Sequence, residues 1–299
     1  MNMMHELTRI IPPWCIKVRS LLPYRGLSAV NGKEDIILCP YPTKCCLKKL
    51  EKETCELQIL KKGEGEDIKC NYLAVDEDDT VCLLTHYGQE SRYDLFICDS
   101  NGKVIHHNPI EFSKGKEYRC LGITKDKKLV FCCEFEQNVY TLDKTVLYIF
   151  DRNGQKNTFP VRISDKRVVK DMFSSNSNEI VLVTVRKHDT KSKSIVLYLY
   201  SDDGRLEREV KLKLPVDSGS PSSCTVRYDY RANNFICLAL KMIGGMRMCR
   251  YLQFCSETGE LRKSCDLNFK HLGFNKPNLT CHPKGNVALV CTNGALYVH

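Results

Sequence analysis

Six short apolar runs recur along the chain: Ile36-Ile37-Leu38-Cys39, Val81-Cys82-Leu83-Leu84, Leu129-Val130-Phe131-Cys132, Ile180-Val181-Leu182-Val183, Phe235-Ile236-Cys237-Leu238 and Val287-Ala288-Leu289-Val290. Runs this short, rich in β-branched residues and cysteine, predict strands buried on both faces rather than helices. Most follow a polar turn such as Asp76-Glu77-Asp78-Asp79, Thr124-Lys125-Asp126-Lys127 or Pro283-Lys284-Gly285-Asn286. A short strand precedes that turn, so each run is the second half of a hairpin.

A second unit follows the first in four of the copies. It reads Leu95-Phe96-Ile97-Cys98 before Asp99-Ser100-Asn101-Gly102, and Leu147-Tyr148-Ile149-Phe150 before Asp151-Arg152-Asn153-Gly154. It returns as Leu197-Tyr198-Leu199-Tyr200 before Gly204 and as Tyr251-Leu252-Gln253-Phe254 before Gly259. These turn glycines are 52, 50 and 55 residues apart. An Asn-Gly or Asp-Gly step between two strand-like runs predicts a β-hairpin, because Gly reaches positive φ without a Cβ clash. A weaker copy, Leu57-Gln58-Ile59-Leu60 before Gly63, lies 39 residues ahead of Gly102. The stretch Lys44 to Leu57 is read as the connection into that first outer hairpin.

Two hairpins in about 50 residues, repeated six times, predict an all-β, six-bladed β-propeller of four-stranded blades. The approximate blades are 24–69, 70–110, 118–162, 167–214, 223–267, and 277–299 together with 12–20, all within one domain spanning 1–299. The last run, Ala295-Leu296-Tyr297-Val298-His299, matches a third strand. The N-terminal run Trp14-Cys15-Ile16-Lys17-Val18 is therefore expected to supply the fourth strand and close the ring.

Eighteen cysteines fit this picture as small hydrophobes inside strands rather than as metal ligands. C-x-x-C spacing is absent, and the adjacent pairs Cys45-Cys46 and Cys132-Cys133 would face opposite sides of a strand. They are read as reduced. The first residues lack the pattern of a signal peptide, and no apolar run reaches the ~18 residues of a membrane span. A cytoplasmic protein that does not engage membranes is expected.

Charge adds a possible partner class. Lys plus Arg number 45 against 36 Asp plus Glu, a net charge of +9. The surplus gathers in connections expected on one face: Lys114 and Lys116; Arg162, Lys166 and Arg167; Arg186, Lys187, Lys191 and Lys193; Lys241 and Arg247. These residues are the candidate binding face. Tyr87, Tyr93 and Tyr140 are candidate stacking groups beside it. The acidic residues Glu90, Glu134 and Glu136 share these loops. Solvated loop charge is the plain alternative.

The repeat, with its Asp-x-x-Gly turns at Asp99 to Gly102 and Asp151 to Gly154, resembles the NHL-type propeller. That domain closes tripartite-motif (TRIM-NHL) ubiquitin ligases. The resemblance spans nearly the whole chain and implies a partner- or substrate-recognition module without chemistry of its own. It also implies an alternative, RNA binding through the basic face. No cofactor is expected. The Gly-His and Trp-Asp signatures of WD repeats are missing. A third reading is a metal-dependent propeller hydrolase, for which Asp76, Asp171 and Asp229 are the candidate carboxylates. Other catalytic patterns do not occur: G-x-S-x-G is absent, as are a P-loop and a dinucleotide fingerprint. Ser218-Gly219-Ser220 reads as a loop, and the scattered histidines form no cluster.

Overall fold

A computed structural model describes residues 15–17, 26–40, 47–51, 57–61, 68–87, 92–111, 116–124, 126–135, 144–151, 156–161, 163, 167–186, 194–216, 218, 224–243, 246–267, 278–291 and 294–298. Every element in them is a strand or a turn. In chain order the strands are β1 (Cys15–Lys17), β2 (Gly26–Val30), β3 (Ile36–Pro40), β4 (Leu47–Leu50), β5 (Leu57–Lys61), β6 (Ile68–Val75), β7 (Val81–Tyr87) and β8 (Arg92–Cys98). They continue as β9 (Val104–Glu111), β10 (Lys116–Ile123), β11 (Leu129–Phe135), β12 (Lys144–Phe150), β13 (Lys156–Val161), β14 (Arg167–Ser174), β15 (Ile180–Arg186) and β16 (Ser194–Tyr200). The last eight are β17 (Leu206–Lys213), β18 (Thr225–Asp229), β19 (Asn234–Ile243), β20 (Met246–Cys255), β21 (Leu261–Leu267), β22 (Asn278–Cys281), β23 (Val287–Cys291) and β24 (Gly294–Val298).

Among the described residues these strands form six four-stranded sheets. Five are meanders of consecutive strands: β2 to β5, β6 to β9, β10 to β13, β14 to β17, and β18 to β21. The remaining sheet has the order β1-β24-β23-β22, with Cys15 opposite Leu296 and Lys17 opposite Gly294. Trp14 and Val18, expected in the same strand, lie outside the described residues. The fold is an all-β propeller with four-stranded antiparallel blades.

The chain divides into two compact units. One comprises 1–111, 229–232 and 267–299, the other 112–228 and 233–266. In the first, β2 packs on both β6 and β22; in the second, β10 packs on β14. First strands therefore lie beside first strands, as stacked blades require.

All six apolar runs are second strands, and burial explains their composition. In β19 Phe235, Ile236, Cys237, Leu238 and Ala239 are all fully buried, and in β15 Val181 and Leu182 are. The interior between β10–β13 and β14–β17 contains Val130, Cys132, Leu147, Ile149, Met172, Leu182 and Tyr198, with Phe159 packed against it. The four strong outer-hairpin copies are the third strands β8, β12, β16 and β20. Cysteine serves as core filler: of the eleven described free thiols, Cys70, Cys265 and Cys281 are partly exposed and the rest are buried.

Three expectations are corrected. Lys44 to Leu57 is not simply a connection, since Leu47–Leu50 within it is the third strand β4. Its two lysines are only partly buried between Leu47 and Leu50, so its apolar signal is weak. In consequence Leu57 to Leu60 is a fourth strand, not a third, and the 39-residue interval compared unlike positions. The third correction is that Tyr87, Tyr93 and Glu134, expected on loops, lie on the strands β7, β8 and β11, where Tyr93 is buried opposite His86.

Among the described residues, no helix is long and apolar enough to cross a membrane.

Candidate interaction site

The turns between first and second strands share one design. Asn31, Asp76, Thr124, Ser175 and His282 each accept the N–H three residues on through their backbone carbonyl. Their side chains accept as well. Asn31 Oδ1 takes the N–H groups of Lys33 and Asp35, and Asp76 Oδ1 takes those of Asp78 and Thr80. Thr124 Oγ1 and Ser175 Oγ take one each, from Lys128 and Glu179. Asp229 Oδ1 takes Arg231 and Ala232. Left-handed backbone follows in these turns, at Glu34, Asp79, Lys127, Asn178, Asn233 and Gly285. A side-chain acceptor closing its own turn is the usual reason for Asx and Ser/Thr at such positions.

This accounts for the aspartates considered as metal ligands. Asp76 and Asp229 close turns, and Asp171 pairs with Arg227 and accepts the Met172 N–H. Among the described residues, no group of three His, Cys, Asp or Glu could hold a metal ion.

His282 is the unusual member, with no exposed surface. Its Nδ1 accepts the Lys284 N–H at 3.2 Å, so Nε2 carries the proton and donates to the Asp76 carbonyl at 2.7 Å. Burial pushes its pKa below the ordinary value, against the opposing pull of the Asp76 carbonyl and Asp79. Cys255 is the other. It takes the position that Asp99 and Ser201 hold in the outer turns, and Arg262 Nη2 donates to its sulfur at 3.1 Å. Hydrogen bonds from Thr258 and Glu257 draw its thiol down to about 7.

The ends of the blades away from these turns carry the basic residues. Arg167 opens β14 and Arg186 closes β15, and the two are directly opposite in the ladder. Arg167 is partly buried and Arg186 exposed. Arg167 Nη1 donates to the Thr184 carbonyl at 3.4 Å. Burial lowers its pKa and the charge of Arg186 acts in the same sense, while Tyr198 and Glu209 oppose. At the same end of that blade Ser194 pairs with Lys213, whose side chain is exposed. Lys116 opens β10 opposite Phe135, and Lys241 and Arg247 lie on neighbouring rungs of β19 and β20. Lys114, Arg162, Lys166, Lys187, Lys191 and Lys193 lie outside the described residues, as do Tyr140, Glu90 and Glu136.

Two features escaped the sequence reading. One is Lys213, a cation on an outer strand whose Val210, Lys211, Leu212, Lys213 alternation carried the signal. The other is a recurrent irregularity in β6, β10 and β14, which leaves Asn71, Arg119 and Lys170 as extra residues. Lys170 Nζ donates to the Cys224 carbonyl at 2.6 Å. Bulges have no compositional signature beyond a polar residue interrupting a strand.

Comparison with known proteins shows the fold. No family model matches the chain, and no curated protein matches by sequence. Solved structures do. A protein of unknown function from Dyadobacter fermentans is 10% identical, with a TM-score of 0.63 over 96% of this chain and 100% of that one. A gluconolactonase of Xanthomonas campestris is 13% identical, with a TM-score of 0.57 over 95% and 88%. An oligogalacturonate lyase in complex with manganese is 13% identical, with a TM-score of 0.56 over 93% and 72%. Identities this low carry the architecture and nothing of the activity.

Proposed function

We propose that the chain is a non-catalytic interaction module that engages a protein partner through the basic, loop-bearing ends of its blades. In this reading it is the recognition propeller of a cytoplasmic TRIM-NHL-like protein, and the composite sheet of β1 with β22 to β24 serves as a sixth blade that closes the ring. The observation that carries it is the Arg167–Arg186 pair, held on strands at a blade end and set in register by the ladder. The three candidate carboxylates are otherwise engaged: Asp76 and Asp229 close turns, and Asp171 holds Arg227. For that reason the hydrolase and lyase relatives in shape do not lead us to an enzyme.

RNA binding is the second reading, supported by the charge surplus. Base stacking needs accessible rings. Tyr93, the one candidate stacking residue whose side chain is described, is buried, which favours a protein partner.

The test is affinity capture from lysate with the full chain and with a variant carrying Arg167→Gln, Arg186→Gln and Lys213→Gln. A protein enriched by the former and lost by the latter supports the module. Enrichment of nothing by the unaltered chain overturns it. Recovery of RNA alone, weakening steeply with salt, replaces it with the second reading.

A further inference from the structure

Asn31, Asp76, Thr124 and Ser175 close their own inner turns with their side chains. His282 does the same with Nδ1, which accepts the Lys284 N–H, but an imidazole has a second nitrogen. That nitrogen leaves the turn. Nε2 donates to the Asp76 carbonyl at 2.7 Å and lies 3.3 Å from Asp79 Oδ1, both in the β6–β7 turn. The same Asp79 oxygen accepts the Gly32 N–H of the β2–β3 turn at 2.5 Å. Asn286, in the turn that His282 opens, donates to the Asn31 carbonyl at 3.0 Å. Three turns, from the sheets of β2 to β5, β6 to β9 and β22 to β24, are thus tied together within the first compact unit. Gly32 lies where they meet: a Cβ there would be 3.0 Å from both Asp79 Oδ1 and Lys284 Cδ.

We propose that His282 is an acid-released latch: taking up a proton unties these three turns locally, while the sheets they belong to stay folded. In the neutral ring the acceptor Nδ1 and the donor Nε2–H are both matched. A proton on Nδ1 sets one N–H against that of Lys284, so the ring must leave or the turn must open. The ring has no exposed surface, so the cation also loses its water. Burial holds the pKa below its ordinary value; Asp76 and Asp79 favour the cation, and Lys284 opposes it. Of the other turns packed here, the β2–β3 turn directs Asp35 at Asn31, 3.2 Å away, and the β18–β19 turn brings Arg231 against Gly285. Once released, the imidazole recovers an ordinary pKa of about 6.5. Each pH unit below that value then favours the open form by up to about tenfold, until the pKa of the closed form is reached. The latch is independent of what the basic ends of the blades bind.

The test is amide hydrogen exchange of the full chain at pH 7.5 and 5.5, corrected for the intrinsic rate at each pH and repeated in low urea. The amides of Gly32, Lys284 and Gly285 report the latch, and those of Val181 and Leu182 report unfolding at large. Between the two pH values the latch amides lose protection several-fold, up to about tenfold, through an opening that urea hardly affects. His282→Asn keeps a turn acceptor but has no group to titrate, and its latch amides keep the same protection at both pH values. Asp79→Asn keeps an acceptor for Gly32 and removes an anion that favours the cation, so its acid loss is no smaller than that of the unaltered chain. It carries the test if the histidine variant does not fold. Equal acid loss in His282→Asn overturns the latch, as does a smaller loss in Asp79→Asn or none in the unaltered chain. Latch amides whose exchange rises with urea as steeply as that of Val181 and Leu182 overturn it too, because His282 would then act on overall stability alone.

Discussion

Gly204 and Gly259 show what a single position controls. Both have positive φ, and both abut the outer strand of the preceding blade: a Cβ on Gly204 would sit 2.2 Å from the Phe159 ring, and one on Gly259 2.5 Å from the Lys211 carbonyl oxygen. Gly204→Ala therefore meets backbone strain and overlap together. It should lower stability by about 2 kcal/mol or more in urea unfolding. Lys127 holds left-handed backbone with a full side chain, so Lys127→Gly should raise stability by about 0.5–1 kcal/mol. His282 supplies a pH dependence. Its folded pKa lies below the ordinary value of 6.5, so the unfolded chain takes up the proton first. Its contribution to stability is present above pH 6.5 and declines as pH falls below it toward the folded pKa. His282→Asn keeps a turn acceptor like Asn31 but cannot titrate, and its urea midpoint should fall less between pH 7.5 and 5.5. Equal slopes for the two proteins would contradict this assignment.

Strands were readable where burial forced an unbroken apolar run. All six second strands stand out in the sequence because both of their faces are covered. Third strands with a glycine turn behind them stand out as well. β4 did not, since Leu47 and Leu50 enclose two lysines, and the register of the first blade slipped with it. Of the candidate site, the cations were legible as residue types. Their pairing was not, because only the ladder register puts Arg167 beside Arg186 across a hairpin of twenty residues. Tyr93 was misplaced because a single aromatic near a polar stretch looks the same in a loop as at the start of a strand. The central position of β16 offers a direct check. Leu197 is fully buried, and Leu197→Ala should cost about 2–5 kcal/mol. The exposed Glu209→Ala on the neighbouring strand should change the urea midpoint little.

The repeated blade also sets how the molecule answers to losing a piece. β1 contributes only Cys15–Lys17, yet it covers one edge of β24. Deleting residues 1–20 should expose that edge and lower the melting temperature by about 5 °C or more, with greater aggregation on heating. An unchanged melting temperature would show that β1 is dispensable. The same inner turn is closed in different blades by the side chain of Asn, Asp, Thr, Ser or His, because any acceptor of suitable reach completes it. Such a turn is a degenerate code, in which many spellings give one shape. A lineage built on it can exchange one acceptor for another, blade by blade, until almost no letters are shared while the length of each turn stays fixed. Substitutions should then accumulate freely at these positions, whereas single-residue insertions there should be poorly tolerated. That asymmetry would let the architecture persist while its letters change.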